Sequence, residues 1–327
     1  MSCFLLTGAG FSRNWGGWLA SEAFEYLLGR PEIAEREGLR RLLWNAQSKG
    51  GFEDALADLQ VATTRGDGLA AENLKLLSNA VTAMFDDMNV GYEARPTWEF
   101  ANDIACSVSK FLTRFEAIFT LNQDLLVERH YLESSPYLHR ADRWDGVAMP
   151  GIQAGQATAS IIGRRWQVLG EDQFELHNRI QPYFKLHGSS NWSGPDGAAT
   201  LIVGGNKSRA ILGTPILKWY QAEFEKRLFS GSARLMVMGY GFRDGHINDL
   251  IIKAIRDHNL RMFNVSPEGA DHARAVNPTR GGGIYAPNEL DDVFERGLAG
   301  ASRRGLAEIF GSNGNELVKL YRFLDGG

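Results

Sequence analysis

Apolar residues along this chain fall into two kinds of run. Short, nearly unbroken stretches occur at 4–7, 117–120, 183–186, 234–238 and 261–265. Runs of that length, bounded by Gly, Asn or Ser, predict strands buried on both faces. A sixth run, 200–203, ends in Gly204-Gly205 and fits either a strand or a ligand-covering loop. Elsewhere the apolar positions repeat at helical spacing. Leu19, Ala23, Tyr26 and Leu27 share one face, as do Leu39, Leu42 and Leu43, then Phe52, Leu56 and Leu59, then Leu74, Leu77, Val81 and Phe85. Pro31, Gly50-Gly51 and Gly66-Asp67-Gly68 punctuate these segments. Residues from about 19 to 115 therefore predict a helical insertion between the first two strands. Ile216, Tyr220, Phe224 and Leu228 mark a later helix, and Ile247, Leu250, Ile251 and Ile255 another.

Residues from about 135 to 180 are polar and irregular, a second small insertion in which 161–162 and 166–169 fit a hairpin. After 265 the chain reads as helical and partly irregular. Five strands alternating with helical stretches predict an α/β fold: a Rossmann-like, doubly wound parallel sheet with right-handed crossovers, forming a single domain over 1–327. Such a sheet places its ligand across the carboxyl ends of its strands.

Composition leaves that picture unchanged and removes alternatives. The chain has 327 residues, 44% hydrophobic and 23% charged, with a net charge of −4. Nothing in that balance calls for a nucleic-acid surface. No apolar run approaches the roughly 18 residues of a membrane span. Met1 to Thr7 carries no basic leader. Only Cys3 and Cys106 are present, which excludes a disulfide framework and a four-cysteine zinc site, and points to a reducing, cytoplasmic setting. His130, His139 and His177 show no metal-ligand spacing and read as surface or packing residues, so no metal is expected.

The predicted strand ends carry the candidate chemistry. The first runs into Gly8-Ala9-Gly10-Phe11-Ser12, where two glycines let the backbone approach a phosphate and the next helix offers free N–H groups. Arg13 stands where a dinucleotide fingerprint wants a third glycine. A tight strand-to-helix turn explains the same glycines equally well. The second strand ends in Asn122-Gln123-Asp124, where a helix N-cap accounts well for Asp124 and less well for Asn122, which sits earlier in the turn. The third ends at His187-Gly188, where a turn-bound structural histidine is the alternative. Asp244 and His246 stand just before a helix, in capping positions. Gly239 and Asn264 end the last two runs.

In this order, Gly8-Ala9-Gly10-Phe11-Ser12, Thr120-Leu121-Asn122-Gln123-Asp124, Leu186-His187-Gly188-Ser189, Gly239-Tyr240-Gly241-Phe242-Arg243-Asp244 and Asn264 resemble the sirtuin-like superfamily. In particular they are similar to the sirtuin-like NAD hydrolases of bacterial and archaeal phage-defence systems. The resemblance implies that Gly8, Ala9, Gly10 and Ser12 bind the NAD phosphates and that Asp124 holds the carboxamide. It implies that Asn122 orients the attacking water or the nicotinamide amide, that His187 contacts the ribose hydroxyls, and that Gly239 and Asn264 line the adenosine half. It also implies NAD as substrate, a homo-oligomer, and a partner ATPase, translocase or nuclease encoded nearby. Deacylating sirtuins carry a four-cysteine zinc ribbon and a Gly-Ile-Pro-Asp-Phe-Arg segment. This chain has neither, with Gly16-Gly17-Trp18-Leu19-Ala20 in the second place. A sensor that binds NAD without turnover shares every nucleotide contact and has no need of both Asn122 and His187.

Overall fold

The computed structural model describes residues 2–47, 51–133, 143–155, 165–194, 199–201, 211–276, 289–311 and 313–326. His139, the 161–162 strand and 202–205 lie outside them.

Seven strands form the central sheet, in the order β11-β10-β9-β1-β2-β6-β3. They are β1 (Cys3–Thr7), β2 (Ala117–Thr120), β3 (Gly146–Ala148), β6 (Ile180–Lys185), β9 (Arg234–Met238), β10 (Arg261–Val265) and β11 (Leu298–Ser302). Every pairing in this sheet is parallel. Leu5 of β1 lies between Met236 of β9 and Ile118 of β2, and every residue of β1 and β2 is buried. A strand with no solvated face cannot alternate, which is why these read as continuous apolar runs. A second sheet has the order β4-β5-β7-β8, with β4 at Ile152–Gln153, β5 at Trp166–Val168, β7 at Gly188–Ser193 and β8 at Ala199–Leu201.

All five predicted strands are present, and the sheet gains one at each edge. Neither addition carries an apolar run: β3 is three residues long, and β11 is Leu-Ala-Gly-Ala-Ser and largely half-buried. β7 is a correction. Residues 188–191, Gly-Ser-Ser-Asn, have turn composition, yet they extend from the end of β6 into the second sheet. The last segment of the chain is likewise not only helical, since β11 sits within it.

Between β1 and β2 run helices Ala20–Leu28, Pro31–Ala34, Glu37–Ala46, Phe52–Thr64, Gly68–Glu93 and Val108–Leu112. The longest, Gly68–Glu93, starts where Asp67 accepts hydrogen bonds from the Leu69 and Ala70 N–H groups. On the sheet, helix Pro215–Leu228 buries Ile216, Tyr220, Phe224 and Leu228. Phe224 meets Phe119 of β2 edge-on, and Tyr220 meets Phe184 of β6 in the same way. Core packing also absorbs Trp15, which is buried and donates its indole N–H to the Trp98 carbonyl at 2.7 Å.

β1 and β9 abut through bare backbone. Gly239 has φ +66°, and a Cβ built on it falls 2.2 Å from the Phe11 nitrogen and 2.3 Å from the Gly10 carbonyl carbon. A Cβ on Gly8 falls 2.7 Å from the Gly239 oxygen, and one on Gly10 falls 2.8 Å from the Gly239 Cα. The Gly8 N–H donates to the Met238 carbonyl and the Gly10 N–H to the Gly239 carbonyl. No neighbouring atom here is a side chain able to move aside. Gly239→Ala is therefore expected to lower the unfolding free energy by at least about 2 kcal/mol, from left-handed strain plus the clash. Urea denaturation measures it; an unchanged midpoint contradicts this packing.

Candidate functional site at the carboxyl rim of the sheet

The sheet winds in one direction from β1 through β2 to β6, and in the other from β9 through β10 to β11. The reversal lies between β1 and β9, and in open α/β sheets ligands bind in the crevice at that point. The loop leaving β1 enters helix Ala9–Arg13, only five residues long, with Gly8 as its N-cap residue. Gly8 is buried, Ala9 exposed and Gly10 half-buried.

Asn122 braces this loop. Its Nδ2 donates to the Gly8 carbonyl at 3.0 Å and to Ser12 Oγ at 2.9 Å. Its backbone N–H donates to Thr120 Oγ1 at 3.0 Å, and Thr7 Oγ1 donates to the same hydroxyl at 2.8 Å. With both amide hydrogens committed, the plane of the carboxamide is fixed and so is the direction of its oxygen. Ser12 is buried, held against β2 by the Asn122 amide.

His187 stands on the neighbouring strand end. Lys185 is registered with Thr120, and the Leu186 N–H donates to the Thr120 carbonyl, so positions 122 and 187 each lie two residues beyond a registered pair. The chain then turns out of the main sheet at Gly188, φ +75°, and enters β7. His187 is thus at the corner between the two sheets and is buried. Gln123 Nε2 donates to its carbonyl at 3.4 Å. Its own Nε2 lies 3.2 Å from Nε2 of His246, in the first turn of helix Gly245–His258. Asp244 occupies the N-cap position of that helix, but its side chain makes no capping hydrogen bond. The capping job expected of it is therefore not made, and the loop 239–244 instead carries His246 across the rim from β9 to the end of β6.

Below the rim is a layer of buried charge. Asp124 Oδ1 accepts from the Leu126 N–H at 3.1 Å, the cap-like contact expected of it, and its backbone carbonyl accepts from Lys185 Nζ at 2.6 Å. Lys185 also pairs with Glu128 Oε1 at 2.5 Å, and the side chains of both are completely buried. Tyr183 donates to the other Glu128 oxygen at 3.4 Å. Burial pushes the carboxyls of Asp124 and Glu128 up, and the Lys185 ammonium pulls both back. Lys185 was hidden in the sequence because it sits inside an apolar strand. Its partner Glu128 lies in a π-helical turn, Glu128–Leu132, which spacing does not foretell.

Helix Gly68–Glu93 lies across this rim. Asn89 accepts from the Leu125 N–H at 2.9 Å and donates to Ser190 Oγ at 3.3 Å. The Tyr92 hydroxyl is buried beside Ser12. It sits 2.4 Å from where a Cβ on Gly17 would be, and burial followed by the nearby Asp124 charge raises its pKa. His130 Nε2 bonds the Tyr92 carbonyl at 3.0 Å, a packing role; burial lowers its pKa. Asn122, Asp124 and His187 are all buried. Two surface depressions are lined by residues such as Glu99 and Asp103, and by Ser2, Glu116 and Arg227 at the amino ends of the strands. Neither is lined by Asn122, Asp124 or His187.

The remaining candidates lie on the β9–β10 side. Gly239 packs on the glycine loop, as above. Asn264 is fully buried in β10, and its Nδ2 donates to Ser266 Oγ at 3.0 Å and the Gly269 carbonyl at 2.8 Å. It holds the turn that follows β10, and its Oδ1 has no partner among the described residues.

Topology and rim together define a doubly wound α/β protein with its polar groups gathered at the switch point. A family description, the SIR2-like domain, matches residues 116–279, half of the chain. The chain belongs to the SIR2-like domain family. No curated protein matches it. The matched span holds Asn122, Asp124, His187, Gly239 and Asn264. The glycine loop lies outside it and is joined to it by the Asn122 and Gly239 contacts. Membership makes NAD the related ligand and is compatible with an NAD-using enzyme.

Removing one partner of a buried ion pair strands the other charge. Lys185→Met alone is expected to cost about 3–5 kcal/mol, and adding Glu128→Leu to recover much of it. Unfolding free energies of both variants decide; equal losses mean that the pair is not the dominant interaction there.

Proposed function

We propose that this protein is an NAD glycohydrolase, cleaving the nicotinamide–ribose bond to give nicotinamide and ADP-ribose, and that it serves as an NAD-depleting effector in prokaryotic antiviral defence. The observation that carries the reading is the placement of Asn122 and His187 on adjacent strand ends, beside a glycine loop braced by Asn122 itself.

In NAD the nicotinamide nitrogen is a pyridinium. Breaking its bond to the ribose returns the electron pair to the ring and leaves an oxocarbenium-like sugar, so the leaving group needs no proton. Water then adds to the anomeric carbon and releases one proton. The protein's task is to hold the ribose, orient the water and exclude competitors. Asn122 suits the second task, because an amide whose hydrogens are both engaged presents its oxygen in one direction. His187 would bind the ribose hydroxyls and take the released proton. Gly8, Ala9, Gly10 and Ser12 would meet the phosphates, Asp124 the carboxamide, and Gly239 and Asn264 the adenosine half. Fixed dipoles in so buried a place act in a low dielectric, where they stabilise developing charge strongly.

The burial of these rim residues supports a second element: activity held back until helix Gly68–Glu93 moves. Asn89 and Tyr92 occupy the approach to the loop and to Ser190, and self-assembly or a partner protein such as an ATPase or nuclease would supply the displacement. The same closure would suit a sensor that binds NAD without turnover. Deacylation is disfavoured by the two-cysteine composition.

Nicotinamide release from NAD, followed by chromatography, tests the reading. His187→Ala and Asn122→Ala are each expected to reduce release by about 100- to 10,000-fold. A His187→Ala protein that consumes NAD at the parent rate overturns the assignment. Calorimetric NAD binding without any nicotinamide release, in the parent and in a variant with Tyr92→Ala, supports the sensor instead.

A further inference from the structure

His187 and His246 come from strands that are not neighbours: β1 and β2 separate β9 from β6. Their Nε2 atoms nevertheless converge to 3.2 Å, with ring centroids 5.3 Å apart and planes 44° apart. Asp244 brings a carboxylate to the same place. The three ligand atoms all lie within 4.8 Å of one another, and this is the one such group among the described residues.

The spacing is that of ligands around a small cation. Two imidazole nitrogens on tetrahedral zinc, each about 2.0–2.1 Å from the metal, lie about 3.3 Å apart. Two histidines and one carboxylate leave a fourth position open, the pattern of a zinc site with three protein ligands. The donor set favours zinc and its d-block neighbours over magnesium or calcium, which prefer oxygen. Asp244 stands at the N-cap position of helix Gly245–His258, which places its carboxylate beside His246 in the first turn. Gln123 Nε2 donates to the His187 carbonyl at 3.4 Å, and Tyr240 Oη donates to Asn248 Oδ1 at 2.9 Å, so the backbone on either side of the pair is tied down.

We infer that His187, His246 and Asp244 bind one divalent d-block cation, zinc being the probe. If the reading of His187 above holds, the cation occupies the Nε2 that would otherwise face the ribose, so metal and NAD cleavage compete for one atom. The metal site stands without that consequence.

The test uses the full chain, stripped with a chelator and titrated with Zn²⁺ against a chromophoric competitor, and separately with Co²⁺, whose visible absorption reports low coordination. The parent is expected to bind one equivalent of either metal. His246→Gln and Asp244→Asn, both of similar size to the native side chains, are each expected to weaken Zn²⁺ binding by more than about 100-fold, beyond what loss of an outer partner costs. Circular dichroism and the urea midpoint confirm that the variants are folded. Parent affinity matched by both folded variants overturns the site, as does a Co²⁺ spectrum of the hexaaqua ion. None of these readouts needs NAD turnover. A positive zinc result with no NAD cleavage leaves the metal site and removes the enzymatic reading; NAD cleavage with no zinc binding does the reverse.

Discussion

The close approach of two stretches of backbone, Gly8 to Gly10 and Gly239, is the constraint on which the rest of the site depends. Three missing side chains let β1 and β9 run side by side to their very ends, where the winding of the sheet reverses. The loop after β1 is then pinned from the other side by the two Asn122 hydrogen bonds. A loop held by backbone on one flank and by a carboxamide on the other has little freedom left. Glycines expected to admit a phosphate have a prior reason to be glycine: they admit each other.

Burial governs how the site's charges behave. Lys185, Glu128 and Asp124 lie where water does not reach, so each depends on the others for its state. Such a cluster is costly to bury, and it is better understood as fixing the backbone around Asp124 than as adding stability. It sits directly beneath the strand ends that carry Asn122 and His187. Above them, helix Gly68–Glu93 excludes solvent, and through Asn89 it bonds both the segment after β2 and the strand after β6. On the proposed reading, the same helix would also stand in the way of the nucleotide. Opening it would expose Asn122 and His187 while leaving the sheet that aligns them intact.

His187 has the busiest position. It ends β6, begins the turn into a second sheet, and faces His246 and Asp244 delivered from β9. One imidazole nitrogen serves one partner at a time. On the proposed readings, a ribose hydroxyl, a neighbouring histidine and a cation would be alternatives at that atom.

The sequence by itself determined the sheet and the rim. Strands buried on both faces must be apolar throughout, so β1, β2, β6, β9 and β10 were legible, and with them the residues at their ends. Edge strands were not, because β3 and β11 bury little and need no apolar run. β7 was hidden by its serines, whose turn preference the second sheet overrides. Lys185 lies within a predicted strand, and its part in the site emerges only once Glu128 and Asp124 are placed against it. Only the tertiary structure could bring His246 to His187, lay the long helix over Asn122, and set Gly239 against Gly10. Those contacts join residues far apart in the chain, and no local period or spacing encodes a distance that exists only once the sheet has wound.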